Sequence, residues 1–307
     1  MTLNEAIEIF LTARTGEIAA STVTWYRSHL GALAVALGDR ELEAISLDDL
    51  RAWRLTVVTH SSCYDSHPYR PAEESHGLSR STQHDRVMVC RILFGWLMAE
   101  NLISVNPATR LVAPPVPRKQ EPKALRDEDI RALHAAAVEH GLDREHALVH
   151  CLAETGARVA GIANLRLTGV DLVKGELVVT EKGNKTRQVY LLEAGCAALQ
   201  AWLQVRPEVD HDFVFTGRSG TQLTTTGIYQ ALRRLADLAG VDRANPHSFR
   251  HAFARGMLDA GLSLEAVSDL MGHSSIVVTA ESYAVWTKSE LRVKHKAAGK
   301  RRGLWNE

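Results

Sequence analysis

The stretch that decides the fold runs from His247 to Tyr283 and reads HSFRHAFARGMLDAGLSLEAVSDLMGHSSIVVTAESY. It sets His247 and Arg250 within one helical turn, then His273 after a glycine, then Tyr283. Two imidazoles, a guanidinium and a phenol in so short a span suit phosphoryl transfer, and they equally suit scattered surface roles. Apolar residues at helical spacing predict helices over Phe249–Ala260 and Ser263–Met271. The rest of the chain must decide between the two readings.

A chain of 307 residues can bury one large core or two ordinary ones. Its 45% hydrophobic and 23% charged residues are those of a soluble globular protein. No apolar run reaches the roughly 18 residues that a membrane span needs. The opening MTLNEAIEIF carries acids where a signal peptide carries lysines, so secretion is not expected. Cys63, Cys90, Cys151 and Cys196 lie far apart, without a CxxC pair or histidines at zinc-finger spacing, and read as reduced thiols of a cytosolic protein. Formal net charge is zero, but every lysine lies beyond residue 117, and the segment Lys288–Arg302 is basic. Nucleic-acid binding needs a local positive surface rather than a positive total, so charge permits it without arguing for it.

The first part of the chain is helical. Thr2 to Glu5 forms a capping box ahead of Ala6, Ile7, Phe10 and Leu11. Ser21 or Thr22 caps a second helix with Trp25, Leu30, Leu33 and Leu37 inside, stopped at Gly38. Ser46 starts a third, and Ser79 or Ser81 a fourth, after a polar loop over residues 59–78. Residues 112–122, VAPPVPRKQEP, hold four prolines and predict a linker between residues 1–111 and 123–307. Beyond it, Asp127–His140, Asp143–Glu154, Arg158–Leu165, Leu192–Val205 and Thr225–Ala239 read as helices. Glu176–Glu181 and Arg187–Leu191 flank Lys-Gly-Asn-Lys as a hairpin. The fold class is therefore mainly α with a small antiparallel β-sheet.

Singly, each candidate group has an ordinary explanation: Arg158 as a salt-bridged arginine, Lys182 as a solvated hairpin lysine, Tyr283 as a helix-end anchor. Their order is what speaks. ETGARVAGIANL at 154–165, EKGNKTR at 181–187, HSFRH at 247–251 and MGHSS at 271–275 together resemble the arginine box, hairpin lysine motif, HxxRH box and Gly-His motif of the tyrosine recombinases, the phage-integrase and Xer-like site-specific DNA recombinases. These motifs span about 130 residues of the second part. The first part resembles the family's core-binding domain more loosely.

The resemblance implies the following roles. Arg158 and Arg250 grip the non-bridging oxygens of the scissile phosphate, where planar guanidinium forks match phosphate geometry. His247 and His273 bond the phosphate and assist proton movement, with His247 as the general base. Lys182 protonates the leaving 5′ oxygen, and Tyr283 attacks phosphorus to give a 3′-phosphotyrosine. A phenol with an unperturbed pKa near 10 needs a base or a cationic pocket to react at neutral pH. Because the covalent intermediate conserves the phosphodiester energy, the resemblance implies no cofactor, no metal and no ATP in the chemistry. It further implies a C-shaped clamp on double-stranded DNA bearing a specific recombination site, and a homotetramer there, with accessory DNA-bending proteins or a partner recombinase as further partners. Residues 284–305 would dock on a neighbouring subunit. No membrane is involved, and the protein is expected in the cytoplasm, associated with the nucleoid.

Three positions depart from the family pattern. Tyr283 stands ten residues after His273 rather than nine, in a Tyr-Ala-Val-Trp sequence that resembles a known variant. Gly161 stands where the arginine box usually carries an acid, which either slows the reaction or is replaced from elsewhere. Glu181 replaces the glycine before the hairpin lysine, and is expected to point along the opposite face of the strand from it. Two other readings fit the same residues: a relative that binds DNA without cutting it, and a type IB topoisomerase-like enzyme.

Overall fold

Thr2 caps the first helix as expected: its hydroxyl accepts from the Glu5 amide while Glu5 accepts from the Thr2 amide. The computed structural model describes residues 1–59, 77–116, 124–181, 185–242, 244–273 and 275–283, together with 292, 295 and 296, and gives only the backbone of 278 and 281–283. Lys182, most of the 59–78 loop, residues 117–123 and nearly all of the chain after Tyr283 lie outside that set. The chain divides into two compact units, Met1–Gln120 and Glu121–Glu307.

The first unit packs α1 (Leu3–Arg14), α2 (Ala20–Leu37), α3 (Leu47–Thr59) and α4 (Arg80–Ala99) around a core of Phe10, Leu30, Leu33, Trp53, Leu93 and Phe94. Ser46 and Ser79 cap α3 and α4. Helix α2 differs from its sequence reading. It begins at Ala20 with no side-chain cap, and Trp25 is 38% exposed, against the edge of His29. Leu30, Leu33 and Leu37 define the buried stripe, and five residues back from Leu30 a helix has turned by about 140° away from it.

The second unit contains α5 (Asp127–Glu139), α6 (Asp143–Thr155), α7 (Val159–Ala163), α8 (Glu193–Val205), α9 (Thr225–Ala239), α10 (Pro246–Asp259), α11 (Leu264–Met271) and α12 (Ile276–Tyr283). Strands β1 (Val170–Asp171), β2 (Glu176–Glu181) and β3 (Lys185–Tyr190) form one antiparallel sheet in the order β1-β2-β3. In the hairpin Glu181 pairs with Lys185 and Glu176 with Tyr190, so β3 begins two residues before the sequence reading. Alternation on β2 buries Leu177 and Val179, and with them the side chain of Glu181 on the same face. Helix α10 starts three residues before the expected Phe249, because Asn245 accepts from the amides of His247 and Ser248 and Pro246 occupies the first turn.

Candidate functional site: a cationic pocket at the end of α6

Two glycines shape the pocket. Gly156 ends α6 at φ 57°, and a Cβ there would overlap the Phe253 ring of α10. Gly272 ends α11 at φ 63°, and a Cβ there would come 2.7 Å from Arg187 Cδ and Nε. Both need the left-handed backbone that glycine adopts freely. The turn at Gly156 brings the chain directly to Arg158, the N-cap of α7.

Arg250, from the first half of α10, is only 5% exposed. Its Nη1 donates to the Gly156 carbonyl at 2.5 Å and its Nη2 to the Met271 carbonyl at 2.7 Å. These carbonyls lie at the ends of α6 and α11, where helix carbonyls lack partners within the helix. Arg250 Nη2 also donates to His273 Nε2 at 2.9 Å. The His273 Nε2 therefore accepts, and its Nδ1–H donates to the buried hydroxyl of Thr279 at 2.6 Å. Burial, then the charges of Arg250, Arg158 and Arg187, push His273 down to about 4, so its imidazole is neutral at pH 7.

Arg158 has a side chain 40% exposed, and its Nη1 and Nη2 each lie 3.4 Å from the Gly272 carbonyl. It is ion-paired to Glu181, whose Oε1 also accepts from the Arg158 amide at 3.2 Å. The same carboxylate takes Arg187 Nη2 at 3.1 Å, while Arg187 Nη1 donates to the Leu270 carbonyl at 2.6 Å. Burial works to raise the Glu181 carboxyl, but Arg187 and Arg158 outweigh it and hold it below the usual carboxylate range. A Cβ at Gly161 would sit 3.3 Å from Val179 Cβ and 3.5 Å from Glu181 Cγ. The missing side chain on α7 thus leaves room for a carboxylate delivered from β2.

Arg158, Arg250 and His273 are therefore brought together. His247 is exposed on α10, with its Nε2 2.8 Å from Nε2 of buried His251, one turn on. The backbone of Tyr283 ends α12, one helical turn beyond Thr279; its side chain and Lys182 fall outside the described residues. Sequence reading did not single out Arg187, Glu181 as the partner of two arginines, or Thr279. Among the described residues, three guanidiniums against one carboxylate leave two positive charges around a neutral imidazole, an anion-favouring arrangement with planar donors suited to phosphate.

Residues 123–290 match the phage integrase family. The tyrosine recombinase XerC of Alcanivorax borkumensis is 30% identical over 285 residues, covering 90% of this chain and 87% of the relative. XerC of Corynebacterium glutamicum is 31% identical, covering 91% of this chain and 86% of the relative. In fold, the Tn1549 transposon integrase in complex with transposon right end DNA aligns with a TM-score of 0.75 at 19% identity, over 97% of this chain and 100% of that one. A lambda integrase tetramer bound to a Holliday junction aligns with a TM-score of 0.71 at 15% identity, over 92% of this chain and 77% of that one. The chain belongs to the phage integrase family. It is a tyrosine-type site-specific DNA recombinase of the Xer type, and hence an enzyme that breaks and rejoins DNA. Among the described residues no helix is long and apolar enough to cross a membrane.

Proposed function

We propose that Tyr283 is the nucleophile of this recombinase and that Arg158, Arg250, His273, His247 and Lys182 act on the scissile phosphate of a specific duplex site. The observation that carries this reading is the convergence of Arg158, Arg250 and His273 on the carbonyl ends of α11 and α6. Attack by the phenol drives the phosphate towards a pentavalent species with added negative charge. Preoriented guanidiniums stabilise that charge more than they stabilise the ground state. Neutral His273 accepts from Arg250 in the free protein; phosphate next to it favours the protonated, donating form. Exposed His247 takes the phenol proton, and Lys182 protonates the 5′ oxygen as it leaves. Glu181 orients Arg158 in place of the acid that Gly161 omits. No step calls on a metal or on ATP.

The helical unit of residues 1–111 serves as a second DNA-binding domain, affinity coming mostly from phosphate contacts. The active assembly is a homotetramer on DNA, in line with the lambda integrase tetramer, with residues 284–305 reaching a neighbouring subunit. Its place in the cell is the nucleoid. A nicked suicide DNA substrate tests the reading. Wild-type protein is expected to form a covalent adduct, and Tyr283→Phe to bind the same DNA and form none. Sequence-specific binding without adduct in the wild type would overturn it, and product analysis on paired sites separates strand exchange from relaxation of supercoils.

A further inference from the structure

We propose that His134, His146 and His150 form a site for one zinc ion that ties α5 to α6. The site stands apart from the chemistry of the cationic pocket. His134 projects from α5, and His146 and His150 lie one turn apart on α6. His134 Nδ1 is 3.1 Å from His146 Nε2 and 3.1 Å from His150 Nε2, and the ligand atoms of all three lie within 4.8 Å of one another. Zinc–nitrogen bonds of about 2.0–2.1 Å at tetrahedral angles separate ligand nitrogens by about 3.3–3.4 Å. The cluster is thus within a few tenths of an ångström of that spacing on two of its edges. The three rings stand edge to face, at interplanar angles of 66°, 79° and 73°, so their nitrogens converge instead of stacking.

A second observation fixes where the lone pairs point. His150 Nδ1 lies 2.6 Å from Glu154 Oε1, and an acidic acceptor there holds the proton on Nδ1. Nε2 of a neutral His150 is then a bare lone pair aimed into the cluster. The single Nδ1 of His134 faces two Nε2 atoms at 3.1 Å each, and with one in-plane lone pair or one proton it can satisfy just one of them. A cation satisfies all three nitrogens. The Glu154–His150 pair is also the arrangement by which a carboxylate behind a ligating histidine fixes its orientation and raises its basicity. Three imidazoles with a fourth position for water favour zinc over magnesium or calcium, which take oxygen ligands.

The bound ion would brace the segment that ends in the arginine box. Glu154 Oε2 accepts from the Leu192 amide at 2.7 Å, linking the cluster to the start of α8, and Arg158 follows four residues later.

The experiment titrates zinc into metal-free full-length protein by calorimetry, and repeats it with cobalt(II) to read the ligand set optically. One equivalent should bind, with a cobalt spectrum of nitrogen and oxygen ligands and no thiolate charge-transfer band, and the melting temperature should rise. His134→Gln and His146→Gln, on different helices, should each abolish the bound equivalent and the shift while keeping the metal-free melting temperature. Glu154→Gln should weaken zinc by about 10–100-fold. No bound equivalent in the wild type, unchanged binding in both histidine variants, or a thiolate band would each overturn the proposal. The wild-type titration decides even if one variant fails to fold.

Discussion

The second unit holds histidines in two settings whose neighbours make them opposites. Around His273 stand Arg250, Arg158 and Arg187, and the Glu181 carboxylate beside them is already shared by two of them. Around His134 and His146 stand a third histidine and, behind it, Glu154. Burial lowers the basicity of histidine in both places. A neutral imidazole among guanidiniums is part of an anion seat, whereas a neutral imidazole among its own kind, backed by a carboxylate, is a cation seat. The side chain is the same; the charge of the next layer assigns its use.

The largest effect on this contrast should come from Arg250. Arg250→Lys keeps the charge but loses the fork that spans Gly156, Met271 and His273. Cleavage of a suicide substrate should fall by at least about 10²–10³-fold, as when a single transition-state donor is lost, while zinc affinity at the other cluster stays unchanged. A parallel loss of zinc binding would mean that the two clusters are not independent.

Next comes the carboxylate that Arg158 and Arg187 share. Glu181→Gln should slow cleavage by about 10–100-fold, the value of a charge-assisted bond of roughly 1.5–3 kcal/mol, with DNA affinity unchanged or slightly raised. Adding Gly161→Asp to that variant should recover part of the rate, since α7 would then supply an acid beside the neutral amide. A purely structural Glu181 would give no such rescue.

The smallest effect is a pH signature. A folded value of about 4 against an ordinary 6.5 means that the unfolded chain binds the His273 proton more tightly. Its contribution to stability is thus complete above about pH 6.5 and is lost as pH falls towards 4. Urea unfolding across that window should show a shallower slope in His273→Gln. In NMR titrations DNA should move the His273 midpoint upward, towards its ordinary value, and leave those of His134 and His146 in place.

Local chemistry made much of this legible in the sequence. The Thr2–Glu5 box, Ser46, Ser79 and the Lys-Gly-Asn-Lys turn each declare an element within a few residues, and helix α9 was readable end to end from its apolar period. The Asn245–Pro246 start of α10 was also written there, but the apolar period begins later, at Phe249, and that period set the expected boundary. What could not be read is whatever depends on distant segments meeting. Glu181 acquires its meaning only because β2 lies beside α7 and β3 beside α11. His134 sits 12 residues before His146, a spacing that matches no metal motif until α5 and α6 pack together. Trp25 departs from its expected burial for a simpler reason: its angle around α2, not its apolar ring, decides where it lies.

Arg250 is a knot as well as a proposed phosphate ligand, since its guanidinium joins the ends of α6 and α11 in the free protein. A descendant that abandoned strand exchange and merely occupied its site would still need that knot to fold. Selection for folding alone would preserve Arg250 long after chemistry had ceased. For judging which members of such a lineage remain active, the buried arginine is therefore a poor witness.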